Sequence, residues 1–493
     1  MKSQTLRGIP YEAPHDGMDC KKKVKFGTGG WRAIIGDDFT RANISLLAKA
    51  MADKMKAEGV AEKGVVIGYD RRFLSKETVI WSCEVLAAEG IRCHFVNRSV
   101  PTPLIMYYVM KYDFPYGMMV TASHNPALYN GIKVFTAGGR DADESQTGEI
   151  ESYIAKVDPE KIRRMDYREA VRQGLVREFY PMNEYVDNII DKIDLASIKN
   201  AHLRVALDPM YGVSETALGT ILITGRCEVS VIHQEHDTLF GGKMPAPAAD
   251  RLGLLQNYVV DKHFDLGIAT DGDADRLGVI DDQGQYLHAN DILVLLYYYL
   301  LKYKGWRGPV VRNLATTHRL DVIAASYGQE CHEVPVGFKH ISAKMAETGA
   351  ILGGESSGGL TVAGHIHGKD GVYAASLLVE MVAVTGKPLS ELMKEVNEEC
   401  GACHMEEHSY QLQEEVKADL QYRLFVEKKL PPLKPYVVER VSYRDGCKLY
   451  FAGGGWLIAR FSGTEPLLRI FCEMPTREEA IALCGQFTRY FKI

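Results

Sequence analysis

Three aspartates at a spacing of two, in Asp271-Gly272-Asp273-Ala274-Asp275-Arg276, end an apolar run at residues 266–270. In extended backbone alternate side chains share a face, so the three carboxylates can converge on one hard cation, Mg²⁺ or Ca²⁺, which relieves their mutual repulsion. An EF-hand is a poor match, because its sixth position needs glycine and here it is Arg276, and because the run follows a strand. An arginine in such a loop points to a ligand that brings extra negative charge, such as a phosphate gripped by paired N–H groups. A second segment, Thr121-Ala122-Ser123-His124-Asn125-Pro126, follows the apolar run 116–120. Asn-Pro enforces a turn and displays Ser123 at the end of a strand, where a nucleophile belongs, although a lone loop serine is more often a plain turn residue. A neutral hydroxyl needs a base, and His124 and Lys133 are the nearby candidates.

Three glycine-rich segments add anion and polyol chemistry. Lys25-Phe26-Gly27-Thr28-Gly29-Gly30-Trp31-Arg32 can turn backbone N–H groups toward an anion, with Arg32 as a fixed charge; without a following Gly-Lys-Ser/Thr it is no Walker loop. Gly353-Gly354-Glu355-Ser356-Ser357-Gly358-Gly359 offers a carboxylate and two hydroxyls, a set suited to a sugar. For each of these two, a plain glycine turn fits equally well. Arg460-Phe461-Ser462-Gly463-Thr464-Glu465-Pro466 joins a cation, two hydroxyls and free backbone amides in one turn. It reads as a phosphate cradle or as a hairpin turn with an exposed arginine.

These loops need rigid carriers, and the chain alternates helical spacing, as at 44–57, with short buried strands at 64–70, 116–120, 203–208, 266–270, 309–313 and 350–353. That rhythm is α/β, with largely parallel sheets. Strand-like runs at 456–460 and 467–472 flank the last loop. Domain boundaries are expected near 195, near 300 and between about 400 and 435. A chain of 493 residues is too long for one core, and 46% hydrophobic with 25% charged residues is a globular composition. A net charge of -6 without a basic block argues against nucleic acid as partner. The N-terminus lacks an apolar signal core, and the longest apolar run, 292–301, is half the ~20 residues a bilayer requires. It reads as a buried helix, no membrane partner is expected, and ten scattered cysteines suit a cytoplasmic, reduced protein. Cys400-Gly401-Ala402-Cys403-His404 matches CxxC and CxxCH patterns, but haem attachment needs an exported chain and zinc a second ligand pair.

Together and in this order, the five loops resemble the α-D-phosphohexomutase superfamily, in particular its phosphoglucomutase and phosphomannomutase branch, from about Phe26 to Cys472. The resemblance implies three successive α/β domains and a smaller C-terminal α+β domain around a central cleft. With the boundaries above this gives 1–195, 196–300, 301–405 and 406–493, carrying the phosphoserine, metal, sugar and phosphate loops. It implies that Ser123 is the phosphorylated serine, and that Ser123, Asp271, Asp273 and Asp275 hold one Mg²⁺. Arg276, Arg32 and Lys133 would surround the transferring phosphoryl group, with His124 as a candidate catalytic group beside Ser123. Thr28, Arg276, Glu355, Ser357, Lys369, Arg460, Ser462, Gly463, Thr464 and Arg469 would bind substrate. Ser356 stands where relatives carry Glu, Met or Gln, and Gly359 where some bacterial relatives carry histidine. His365 and His367 lie close by.

The implied activity is an intramolecular phosphotransfer between hexose 1-phosphate and hexose 6-phosphate, glucose first and mannose second, with hexose 1,6-bisphosphate as intermediate and activator. Such chemistry mainly needs positioning and charge neutralisation. The bisphosphate must turn end for end, which accounts for two anion-binding regions. Rival readings are a bisphosphate synthase with a separate donor, a Mg²⁺-dependent sugar phosphatase and a sugar-phosphate-binding regulator. The sugar phosphate is the one partner expected.

Overall fold

Four sheets carry the chain, and the structure, a computed structural model, describes residues 24–27, 29–461 and 467–493. In the first sheet the strands run in the order Phe26–Gly27, Gly30–Ile34, Tyr129–Thr136, Tyr116–Val120, Val65–Tyr69, Cys93–Val96 and Val176–Phe179, with Arg140–Asp141 paired to Tyr129–Thr136. The last four of the main order are parallel and the others antiparallel. The second sheet sets Glu228–Val231, Arg204–Asp208 and Leu266–Thr270 parallel and adds Leu277–Ile280 and Tyr286–Leu287 antiparallel. In the third, Cys331–Val334, Val310–Asn313 and Leu352–Gly354 are parallel and Leu360–Val362 is antiparallel. The fourth is wholly antiparallel: His404–Gln411, Leu467–Met474, Trp456–Phe461, Cys447–Phe451 and Val438–Ser442, with the helix Arg477–Phe491 on one face. The expected fold class holds: three α/β units with mixed sheets, then a C-terminal unit built differently.

One local device recurs in all three α/β units. A buried parallel strand runs to its C-terminal end, makes a loop, and returns as its antiparallel neighbour: Tyr116–Val120 to Tyr129–Thr136, Leu266–Thr270 to Leu277–Ile280, and Leu352–Gly354 to Leu360–Val362. The loops so displayed carry Ser123, the three aspartates and Glu355. In the fourth unit the pair Trp456–Phe461 and Leu467–Met474 flanks 462–466 in the same manner.

The strands at 116–120 and 266–270 form with the expected bounds, those at 64–70, 203–208 and 309–313 are one or two residues shorter, and 350–353 becomes Leu352–Gly354. Helix Arg41–Ala57 starts at Thr40, whose Oγ1 accepts from Asn43 N at 3.3 Å, and buries Ile44, Leu47, Ala48, Met51 and Met55 at helical spacing. Helices Ala289–Lys302 and Gly371–Thr385 are apolar on nearly every side because they lie inside the core that joins the α/β units. No single helix among the described residues is long and apolar enough to cross a membrane. A smaller cluster of Leu314, Ala315, Tyr450, Trp456, Ile458 and Phe471 joins the third unit to the fourth.

Candidate active site

Ser123 is wholly buried and sits in left-handed backbone at φ 52°. Its N–H donates to Thr121 Oγ1 at 2.8 Å, and that hydroxyl donates to Asp70 Oδ2 at 2.6 Å, so the end of the strand Val65–Tyr69 anchors the turn. Arg72 donates to the carbonyls of Ser123 and Asn125, both at 2.6 Å, and to those of Pro126 and Tyr129 at 2.9 and 3.0 Å. One guanidinium thus fixes the whole turn. The Ser123 hydroxyl donates to Asp271 Oδ2 at 2.7 Å and lies 3.4 Å from His124 Nδ1. Burial, with Arg276 and Arg32 nearby, pushes the His124 imidazole well below its ordinary range, so it is neutral at physiological pH.

The carboxylates of Asp271, Asp273 and Asp275 are buried, with ligand atoms all within 4.8 Å of one another. Burial, together with Asp273 and Asp275, drives the Asp271 carboxyl well above the usual carboxylate range. Asp271 Oδ1 accepts from the N–H groups of Asp275 and Arg276, both at 3.0 Å. Asp273 Oδ2 accepts from Thr102 Oγ1 at 2.6 Å and Lys133 Nζ at 2.7 Å; Asp275 Oδ2 accepts from Lys133 at 2.7 Å and pairs with Lys369 Nζ at 3.0 Å. Burial alone would lower the Lys133 ammonium, but Asp273 and Asp275 outweigh it and raise its pKa, so Lys133 stays charged and is no base at neutral pH. The remaining oxygens, Asp273 Oδ1 and Asp275 Oδ1, are buried and have no hydrogen-bond partner among the described residues, and the same holds for Arg32 Nε and Arg276 Nε, the last lying 3.8 Å from Asp275 Oδ1. Unmatched acceptors in an all-oxygen set fit a hard divalent cation, and unmatched guanidinium N–H groups fit an anion.

Arg32 also donates to Asn125 Oδ1 at 2.7 Å, which holds it over the Ser123 turn. Glu355 Oε1 accepts from Asn313 Nδ2 at 3.0 Å and from Gly337 N at 3.1 Å, while Ser357 is exposed. A second cluster lies in the C-terminal sheet, where Arg460 stands directly opposite Arg469 in the ladder and donates to Asp445 Oδ1 at 3.0 Å. Like charges in register are unfavourable unless an anion lies between them. Thr28, Ser462, Gly463 and Thr464 lie outside the described residues.

Domain models of the phosphoglucomutase/phosphomannomutase family match residues 23–161 (α/β/α domain I), 183–284 (domain II), 288–400 (domain III) and 436–489 (C-terminal domain). The chain belongs to this family, within the α-D-phosphohexomutase superfamily. It is 30% identical to a Methanothermobacter thermautotrophicus protein named a phosphoglucosamine mutase, over 94% of this chain and 96% of that one. It is 27% identical to a Thermococcus kodakarensis phosphoglucomutase/phosphomannomutase, over 92% and 95%. A solved Thermus thermophilus structure assigned as a phosphomannomutase superposes with a TM-score of 0.83 at 28% identity, covering 95% of this chain and 99% of that one. The chain is therefore an enzyme of the intramolecular phosphotransferase class.

Within this phosphohexomutase, Gly359 has a steric explanation: a Cβ there would lie 2.3 Å from Lys369 Cδ, so the lysine occupies the space a side chain would take and runs through it to Asp275. His365 is inward-facing, with Nε2 2.7 Å from Asp370 Oδ2 and Nδ1 3.1 Å from Asn188, and its ring packs at a tilt of 52° against Tyr373. It supports the start of helix Gly371–Thr385, which Asp370 caps. Cys400 and Cys403 are thiols beside Arg319 and Glu473, and the aspartate triad is the one three-ligand cluster among the described residues. Sequence reasoning missed Asp70, Arg72 and Thr102. The available signals were a buried strand that ends on Asp70, two arginines directly after it, and a Thr-Pro helix start.

Proposed function

We propose that the enzyme interconverts hexose 1-phosphate and hexose 6-phosphate, with glucose as the sugar, through phosphorylated Ser123 and a hexose 1,6-bisphosphate. One observation carries this reading. Beside the buried Ser123 hydroxyl, two carboxylate oxygens and two guanidinium N–H groups make no hydrogen bond among the described residues, Asp275 Oδ1 and Arg276 Nε coming no closer than 3.8 Å, so a divalent cation and a phosphoryl group together would satisfy all four. Asp271, Asp273 and Asp275 would hold Mg²⁺ with the Ser123 oxygen, and the ion would neutralise charge on the phosphoryl group.

Arg32 and Arg276 bind that group's oxygens, and Lys133 keeps two of the carboxylates compensated. The bond from phosphorus to Ser123 Oγ breaks as one to the sugar oxygen forms, and the proton that the sugar hydroxyl gives up ends on Ser123 Oγ. Neutral His124 is positioned to exchange a proton at Ser123 Oγ. Glu355 and Ser357 read the sugar, and Arg460 with Arg469 receives the remote phosphate while the bisphosphate reverses. Unpaired thiols among the described cysteines suit a reducing cytoplasm.

Ser123→Ala tests the reading: we expect no measurable mutase turnover, and normal turnover would refute the nucleophile. The relatives named for glucosamine and mannose phosphates supply the rival for the sugar. Rates with glucose, mannose and glucosamine 1-phosphates decide, and a clear preference for either of the latter two replaces glucose.

A further inference from the structure

Asp445 lies in the turn between Val438–Ser442 and Cys447–Phe451, and its carboxylate touches two units at once. Oδ1 accepts from Arg460 Nε at 3.0 Å, and Oδ2 accepts from the Val336 N–H of the third unit at 2.8 Å. The next residue, Gly337, donates its N–H to Glu355 Oε1 at 3.1 Å. A continuous polar line therefore runs from Arg460 through Asp445 and residues 336–337 to Glu355.

Two independent features mark this contact as built. Gly446 has φ 104°, and a Cβ there would lie 2.8 Å from Ala459 O and 3.3 Å from Arg460 Cβ, so glycine lets the turn press against the arginine's strand. Arg469 stands opposite Arg460, so the guanidinium has a like charge to face and needs a carboxylate to hold its pose. With Nε engaged by Asp445, the terminal N–H groups of Arg460 have no partner among the described residues and suit a phosphate.

We infer that Asp445 is a positioning residue of the mutase: it aims Arg460 at the sugar phosphate remote from Ser123 and ties that pose to the loop that carries Glu355. This rests on the role proposed above for Arg460. The polar line explains how occupation of the distal phosphate site and reading of the sugar can be felt together, although the two loops belong to different units.

The test is steady-state kinetics of Asp445→Ala, Asp445→Asn, Arg460→Ala and the Asp445→Ala/Arg460→Ala double variant, with the hexose 1-phosphate that the wild type turns over fastest. Asp445→Ala should raise KM about tenfold, the factor one charge-assisted hydrogen bond carries. Its kcat should stay within about twofold, since the lost contact is shared by ground and transition states. Asp445→Asn keeps an acceptor for Val336 without the charge for Arg460, and its KM should fall between; it carries the same comparison if the alanine variant folds poorly. The double variant should be no worse than Arg460→Ala alone. Amide exchange should speed up at residues 336 and 337 in Asp445→Ala. Additive effects in the double variant, or wild-type KM in Asp445→Ala while Arg460→Ala is impaired, overturn the inference alone. Wild-type KM in Arg460→Ala overturns the proposed role of Arg460 itself.

Discussion

Ser123 at φ 52° and Ala274 at φ 60° place unfavourable backbone in both loops that meet at the Ser123 hydroxyl. Such conformations cost on the order of 1–3 kcal/mol each and persist where surrounding contacts over-determine them. Here the contacts are visible: Arg72 binds four carbonyls of the Ser123 turn, and Asp271 Oδ1 takes two backbone N–H groups of its own loop. Thr102 extends this support across units, with its hydroxyl on Asp273 Oδ2 at 2.6 Å and its N–H on Asp273 O at 2.9 Å. A partner behind a metal-binding carboxylate typically accounts for about 10–100-fold in metal affinity. Thr102→Val should therefore weaken Mg²⁺ binding by about tenfold, read by titration calorimetry without substrate; unchanged affinity would remove Asp273 from the ligand set or Thr102 from its support.

At the scale of elements, the recurring strand-loop-strand hairpin displays loops far apart in sequence in the same way, and the fourth unit docks through a buried lysine. Lys448 lies on Cys447–Phe451, with Nζ on Leu314 O at 2.6 Å, Glu333 Oε2 at 2.8 Å and His318 Nε2 at 3.0 Å, above the Trp456 ring. Burial, aided by Arg312, pulls its pKa down to about 8 from the ordinary 10.5, against the opposing pull of Glu333. Between those values the unfolded chain binds a proton that the folded chain does not, so this group adds stability as pH rises from about 8 toward 10.5. The thermal midpoint of the wild type minus that of Lys448→Met should rise over this interval. A flat or falling difference would show that the lysine is not held as described. The strand that leads into each loop was legible, because it is a compact apolar run that ends on a polar or glycine-rich turn; the antiparallel returns at Leu277–Ile280 and Leu360–Val362 were not. Arg72 was not: it acts on Ser123 across 51 positions, a distance over which no periodicity operates.

For the molecule as a whole, the sequence carries what is local and loses what is relational. The aspartate triad and Ser123 announce themselves by spacing and turn chemistry, and family resemblance extends that to most of the chain. Lys369 in the space above Gly359, and Asp445 between Arg460 and Val336, emerge only when the units are assembled, since each joins residues from different loops or domains. Assembly also changes how residues read: Lys133 is a candidate base in the sequence and a charged partner of two aspartates in the fold. We propose that these units converge so that one hydroxyl can carry a transferable phosphoryl group. That capacity is tested most directly by intact-mass and peptide measurements after incubation with Mg²⁺ and glucose 1,6-bisphosphate. The peptide that contains Ser123 should gain one phosphoryl group and lose it again on addition of excess hexose monophosphate. A phosphoryl group on any other residue, or none on an enzyme that turns over, would contradict it.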